Sequence, residues 1–186
     1  MSSQTITDAN TSPTTAPVDS GSERERADLI QTLAKHRGFL RQTVQGLTDE
    51  QVALHPTASQ LCLGGIIKHV ALMESGWVDF ILTGPRTGPM DQAAYEAHAA
   101  GFRMEDGETL AGLLARYDEV AGRTDELVAS LPSLDATQPL PEAPWFEPGA
   151  RWSARRALLH VIAETSQHAG HADILRETID GSKTMG

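Results

Sequence analysis

The sequence predicts an all-α protein in which four main helices form a bundle. Four long segments carry apolar residues at helical spacing, and no segment alternates with period two over the length of a strand. Gly- and Pro-rich stretches separate these segments. Because 40% of the 186 residues are hydrophobic, the chain can bury the core that one such domain needs.

The first 21 residues differ in composition from the rest of the chain. They are rich in Ser, Thr and Pro and poor in large apolar side chains. Such a segment cannot bury enough surface to offset the entropy that it would lose on ordering. We therefore predict a disordered tail over 1–21 and a single bundle domain over 22–186.

The domain begins with a long amphipathic helix. Leu29, Leu33 and Leu40 recur at helical spacing and predict this helix over 22–46. Thr48 is a suitable N-cap for a short helix that follows.

The other three main helices are predicted from apolar spacing and from Gly, Pro and Ser at their ends, over 60–82, 106–131 and 154–180. Ser153 is the expected N-cap of the last helix, and Gly181 is expected to end it. The Pro-rich segment 132–152 is predicted to be a long loop.

Charge and composition exclude several classes of function. The net charge is −10, the pI is about 5.0 and no basic run is present, so we expect no nucleic-acid partner. No apolar run reaches the length of a membrane span, and no signal peptide is visible, so we expect no membrane partner. The single cysteine, Cys62, excludes an intrachain disulfide and fits a cytoplasmic location.

The last predicted helix carries a polar stripe within the segment "LHVIAETSQHAGHADILRE". At 100° per residue, His160, Glu164, His168 and His171 project within a sector of about 80°. The helix is apolar almost all round, so these polar groups are expected to be partly buried. A buried carboxylate beside imidazoles requires compensation, which a metal ion can supply.

Glu164 and His168 are one turn apart, at i and i+4, and can converge on one ion. The same spacing also suits an ordinary helical ion pair, which is the alternative interpretation. His69 lies on the apolar, core-facing stripe of the second main helix. It could be a hydrogen-bonded core residue, or it could face the last helix and complete a three-ligand site. Three protein ligands leave one position open for water or substrate.

Two segments resemble a known family, "LCLGGIIKHVALMESGWVDFIL" and "RWSARRALLHVIAETSQHAGHADILRETIDG". Over about residues 24–181 the chain resembles the DinB-like superfamily, in its branch of mycothiol-dependent metalloenzymes. The resemblance implies an up-down-down-up four-helix bundle. It also implies a divalent metal held by one residue on the second main helix and two on the last, and it suggests a homodimer.

Most of the superfamily uses three histidines, whereas Glu164 stands at one of these positions here. The set His69, Glu164 and His168 resembles the zinc ligands of the mycothiol-dependent maleylpyruvate isomerase. No counterpart of that enzyme's C-terminal domain follows before Gly186, which favours the shorter, mycothiol S-transferase type.

The resemblance implies a thiol S-transferase of detoxification type that uses Zn²⁺, Ni²⁺ or another divalent metal. It would join a low-molecular-weight thiol, such as mycothiol, to an electrophilic small molecule. The alternatives are a hydrolase that uses metal-bound water and a non-catalytic metal-binding stress protein.

Further residues are candidates for supporting roles. His160 and His171 could orient the ligands by hydrogen bonds, face the substrate pocket or be plain polar residues. Trp77 could line a pocket for an apolar electrophile or serve the core. The same alternatives apply to four other aromatic residues, Tyr95, Trp145, Phe146 and Trp152. Arg151, Arg155 and Arg156 form the one local basic cluster, which could meet an anionic ligand or simply be solvated.

Overall fold

The computed structural model describes residues 20–85, 92, 96, 99–142 and 146–184 of the chain. Five α-helices and two short β-strands have both ends within these residues, and residues 92, 96, 99 and 100 are also helical. In chain order they are α1 (Ser20–Thr43), α2 (Asp49–Val52), α3 (Leu63–Thr83), α4 (Leu110–Ser130), β1 (Thr137–Pro139), β2 (Arg151–Ser153) and α5 (Ala154–Asp180). The four long helices pack side by side, so the predicted all-α bundle is confirmed.

Contacts between the long helices establish their relative directions. From Arg37 to Arg41 on α1, the ionic partner on α4 changes from Asp125 back to Asp118, so α1 and α4 are antiparallel. In the pairs α3–α4 and α1–α5, residues later in one helix contact residues later in the other, so the two helices of each pair are parallel. The contacts are Lys68 with Glu108, which lies just before α4, Asp79 with Arg123, Glu25 with Arg155 and Thr43 with Arg176. The bundle therefore has the expected up-down-down-up order.

Capping residues account for where the helices begin and end. The Thr48 side chain accepts a hydrogen bond within the short helix α2, as predicted, and Ser153 does the same for α5. Gly181 ends α5 in the left-handed conformation, with φ of 77°. Two helices begin later than predicted. The helix predicted from residue 60 begins at Leu63, after its N-cap Cys62, and the helix predicted from residue 106 begins at Leu110, after its N-cap Thr109.

A layer of buried polar residues crosses the bundle near its middle. Arg37 donates to the carboxylate of Glu74, with one bond of 3.2 Å from its Nε, and both side chains are nearly inaccessible to solvent. Thr124 and Thr165 are buried as well. On one side of the layer lies an apolar cluster that includes Leu40, Ile67, Tyr117 and Leu175; on the other side lies one that includes Leu33, Val78, Val128 and Leu158.

The connection between α4 and α5 is more ordered than predicted. Instead of a loop throughout 132–152, β1 and β2 pair as an antiparallel hairpin, with Gln138 opposite Trp152. Leu134 is 3% exposed and belongs to the core, which anchors the start of this connection. Three-residue strands are too short to show alternation, so the sequence pattern does not reveal them.

The first helix begins at residue 20 and ends at residue 43, against the predicted 22–46. The predicted tail over 1–21 therefore overlaps with α1 at its last two residues, and residues 1–19 lie outside the described part of the chain. Among the described helices, none combines the length and apolar character needed to cross a membrane.

Candidate metal centre

The antiparallel helices α3 and α5 bring the three predicted ligands together. His69 comes from α3, and Glu164 and His168 come from successive turns of α5. One donor atom from each of the three residues lies within 4.8 Å of the other two. Both histidines are 8% exposed, whereas the carboxylate side chain is 29% exposed. The site is thus buried on its imidazole side and open at Glu164.

The spacing fits the dimensions of a metal site. With ligand bonds of 2.0–2.1 Å, tetrahedral geometry places neighbouring donor atoms about 3.4 Å apart. His168 Nε2 lies 3.6 Å from Glu164 Oε2. The imidazole rings of His69 and His168 have centroids 4.8 Å apart, at an interplanar angle of 67°. Small side-chain rotations would bring all three donors onto one ion.

Burial also favours the protonation state that a metal needs. Desolvation lowers the pKa of His168, while the neighbouring carboxylate of Glu164 acts in the opposite direction. The ring is therefore held neutral, which is the form that binds a metal. Within the described residues, His168 Nδ1 is buried and has no hydrogen-bond partner. The orientation of the ring therefore depends on the side chains packed around it and on Glu164, whose Oε2 lies 3.6 Å from Nε2.

Phe102 is a contributor that the sequence did not reveal. Its ring stacks on that of His69, with centroids 3.6 Å apart and an angle of 18°. Two glycines make this approach possible. A Cβ on Gly65 would lie 1.9 Å from the Phe102 carbonyl oxygen, and one on Gly64 would lie 2.1 Å from the Met104 sulfur. The Gly-Gly-x-x-x-His motif therefore positions the histidine and also admits the segment that covers it.

His160 extends the site towards the hairpin. Its Nε2 lies 3.8 Å from Oε1 of Glu164, the oxygen that does not face His168. Its ring packs edge-on against Trp77 and Trp152, at centroid distances of 4.9 and 5.3 Å. The two indoles stack on each other, and Phe146 packs edge-on against Trp152. The predicted candidate Trp77 is therefore an aromatic neighbour of the site, in contact with the core.

Of the remaining candidates, His171 contacts a metal-ligand candidate, whereas the three arginines have partners of their own. His171 packs against His168 with ring centroids 5.4 Å apart, and its Nδ1 is buried without a hydrogen-bond partner in the described part of the chain. Arg155 is paired with Glu25 and Asp135, and Arg151 donates to Thr137. Arg156 lies over the Trp152 ring, 5.0 Å from its centroid. Tyr95 and Trp145 lie outside the described residues.

Comparison with known proteins agrees with this fold. The four-helix bundle and a family match show a DinB-like protein, in which the His/Glu/His set is a possible metal site. A family model described as Mycothiol-S-transferase matches residues 28–181. The chain belongs to this family.

Two solved structures share the fold at low sequence identity. YfiT from Bacillus subtilis is described as a probable metal-dependent hydrolase with an unusual four-helix bundle topology. It has a TM-score of 0.64 and 20% identity, over 90% of this chain and 95% of that chain. A conserved protein from Enterococcus faecalis has a TM-score of 0.61 and 13% identity, over 84% of this chain and 97% of that chain. A search of curated proteins found no match.

Proposed function

We propose that the chain is a metal-dependent S-transferase that joins a low-molecular-weight thiol, such as mycothiol, to an electrophilic small molecule. The observation that carries this proposal is the approach of His69, Glu164 and His168 donor atoms to within 4.8 Å of one another. Membership in the Mycothiol-S-transferase family supplies the substrate class. Zinc is the first candidate for the metal, followed by nickel.

Three protein donors can hold a divalent metal and leave a position for a fourth ligand. A bound divalent metal would stabilise the thiol as its thiolate, which is the nucleophilic form. The two imidazoles are neutral donors, and Glu164 contributes the one negative charge of the protein ligands. Phe102 covers one face of His69 and restricts the access of water to that side.

The proposed transfer requires no protein nucleophile. The thiol gives its proton to solvent water, a carbon–sulfur bond forms, and the bond from the same carbon to the leaving group breaks, so that the leaving group departs with its bonding electron pair. Cys62 is 1% exposed, and its sulfur accepts a hydrogen bond from the backbone N–H of Gly65. A side chain in that position cannot reach an external electrophile, so the role of Cys62 is to cap the first turn of α3.

The test is a thiol-consumption assay with the full chain. Mycothiol and a bimane or chlorodinitrobenzene are mixed with protein that has been freed of metal and then supplied with Zn²⁺ or Ni²⁺. The proposal predicts metal-dependent formation of the thioether at a rate that falls to background in Glu164→Ala. Conjugation that is no faster than the uncatalysed reaction, with mycothiol and with other small thiols, would refute it.

A second candidate reaction is hydrolysis, because the structural neighbour YfiT is described as a probable metal-dependent hydrolase. The same three donors would serve, and water would replace the thiol as the nucleophile. The two proposals differ in one requirement. A hydrolase cleaves ester or amide substrates in buffer without any thiol, whereas the S-transferase shows no turnover until the thiol is added.

The oligomeric state and the cellular location belong to the same proposal. We propose a homodimer in the cytoplasm that takes only small molecules as partners, with no nucleic acid or membrane surface. Light scattering of the purified full chain tests the dimer, and a mass of one chain at micromolar concentration would exclude it.

A further inference from the structure

His160 is the one histidine on α5 that faces Glu164 from the side away from His168. It lies one turn before Glu164, as His168 lies one turn after it. The carboxylate is therefore flanked by two imidazoles, with Oε2 3.6 Å from His168 Nε2 and Oε1 3.8 Å from His160 Nε2. Each carboxylate oxygen therefore has its own imidazole neighbour.

His160 is not a member of the compact donor set. Among the described residues, the donors that lie within 4.8 Å of one another come from His69, Glu164 and His168. Since His160 approaches only the outer oxygen of Glu164, it is placed to hold the carboxylate rather than to bind the same ion. Carboxylate ligands of metals are themselves commonly held by hydrogen bonds from such neighbours.

Two indoles restrict the orientation of the His160 ring. Trp77 from α3 and Trp152 from β2 stack with centroids 4.9 Å apart, and both meet the imidazole at angles near perpendicular, 76° and 68°. The hairpin that carries Trp152 is held against the bundle by the buried Leu134 and by a hydrogen bond that Gln138 of β1 donates to the backbone oxygen of Ile81 on α3. The ring is thus fixed by α3, which also carries the candidate ligand His69, and by β2.

We propose that His160 is a positioning residue that donates from Nε2 to Oε1 of Glu164 and so directs Oε2 towards the metal. This inference rests on the proposed metal site. The stacked pair Trp77 and Trp152 holds the imidazole in the orientation that this bond requires. Closing the 3.8 Å gap to hydrogen-bond distance needs a movement of about 1 Å.

The test separates the hydrogen bond from the packing of the ring. His160→Phe keeps an aromatic ring between the two tryptophans and removes the donor. His160→Asn is small and polar, and its amide nitrogen does not extend as far as Nε2. The amide nitrogen of His160→Gln reaches almost the same place as Nε2. His55→Phe, at an exposed position outside the site, is the matched control.

Zn²⁺ affinity of the full chain is measured by competition with a chromophoric chelator, and the absorption spectrum of the Co²⁺ form is recorded. His160→Phe and His160→Asn are expected to weaken Zn²⁺ binding by about 10- to 100-fold, with an altered Co²⁺ spectrum. His160→Gln and His55→Phe should remain within about threefold of wild type, with the wild-type spectrum.

Three results would overturn the inference. Wild-type Zn²⁺ affinity in both His160→Phe and His160→Asn would exclude a role for the donor. Equal losses in His160→Gln and His160→Phe would show that only the imidazole ring matters. Absence of Zn²⁺ binding by the wild type would remove the metal site and this inference together, whereas binding without thiol transfer would remove only the proposed reaction.

Discussion

Gly65 lies in the first turn of α3, directly against the segment that places Phe102 over His69. Replacing it with Ala adds a Cβ 1.9 Å from the Phe102 carbonyl oxygen and 2.5 Å from its carbonyl carbon. Contacts under 3.0 Å essentially never occur for a real Cβ, and the obstructing atoms are backbone atoms. The segment must therefore retreat by about 1 Å, which would unstack Phe102 from His69.

The cost of Gly65→Ala follows from two opposing effects. Forcing an extra methyl group into a packed site costs about 1–3 kcal/mol. Alanine in a helix gains at most about 1 kcal/mol over glycine, and less in the first turn. We expect the free energy of unfolding to fall by about 1–2 kcal/mol. Zn²⁺ affinity should fall on the order of tenfold, because His69 loses the neighbour that fixes its ring.

Gly76→Ala is the control within the same helix, because a Cβ there meets nothing within 4 Å. It should raise the free energy of unfolding by about 0.5–1 kcal/mol and leave Zn²⁺ affinity unchanged. Urea unfolding followed by circular dichroism and chelator competition give the two quantities. If Gly65→Ala equals or exceeds the wild type in both, the close approach of the Phe102 segment to α3 is refuted.

Three further predictions concern the core, the cysteine and the pH. Glu74→Ala should lower the free energy of unfolding by about 3 kcal/mol, because it leaves the buried Arg37 without its main partner. This value is the lower end of the range for a broken buried ion pair, since Arg37 keeps its 2.9 Å bond to Asp125. Thermal unfolding measures this, and a loss below about 1 kcal/mol would contradict it. Cys62→Ala should keep kcat/KM within about threefold in the thiol assay, since Cys62 is buried; a loss of about 100-fold would indicate a protein nucleophile. Burial lowers the pKa of His168 in the folded chain, with Glu164 opposing. This contribution to stability is present above the unfolded pKa of about 6.5 and is lost as the pH falls through the folded pKa. Urea unfolding of the metal-free chain should therefore show a steeper decline below pH 6.5 for the wild type than for His168→Gln, and equal slopes would contradict it.

The helical part of the fold could be predicted because its signals are local. Spacing of leucines along α1 depends only on the helical period, and three of them, at 29, 33 and 40, are buried as expected. Ser153 and Gly181 mark the ends of α5 through their own hydrogen bonding and backbone conformation. The approach of Glu164 to His168 likewise follows from one turn of one helix.

The features that were missed depend on partners distant in the chain. Arg37 looks like a surface residue in the sequence, and it is buried where Glu74 and Asp125, on two other helices, balance its charge. Phe102 lies between the helices predicted over 60–82 and 106–131, in a part of the sequence for which no helix was predicted, although residues 92, 96, 99 and 100 are helical. Its position over His69 is set by the space above Gly65, which a one-dimensional pattern does not show.

The hairpin illustrates a third limit. Its strands are three residues long, so no alternation can be recognised, and β1 contains Pro139, which argues against a strand. Pairing with β2 nevertheless places Trp152 beside Trp77 and His160. The aromatic surroundings of the site therefore could not be assembled from the sequence.

The central claim is that His69, Glu164 and His168 together hold a divalent metal. Its most direct test is the metal content of the full chain, purified without chelator and equilibrated with Zn²⁺, then measured by inductively coupled plasma mass spectrometry. The wild type should carry one ion per chain, and the variant with all three residues replaced by Ala should carry none, although both remain folded. Equal metal content in the two proteins, whether negligible or stoichiometric, would contradict the account.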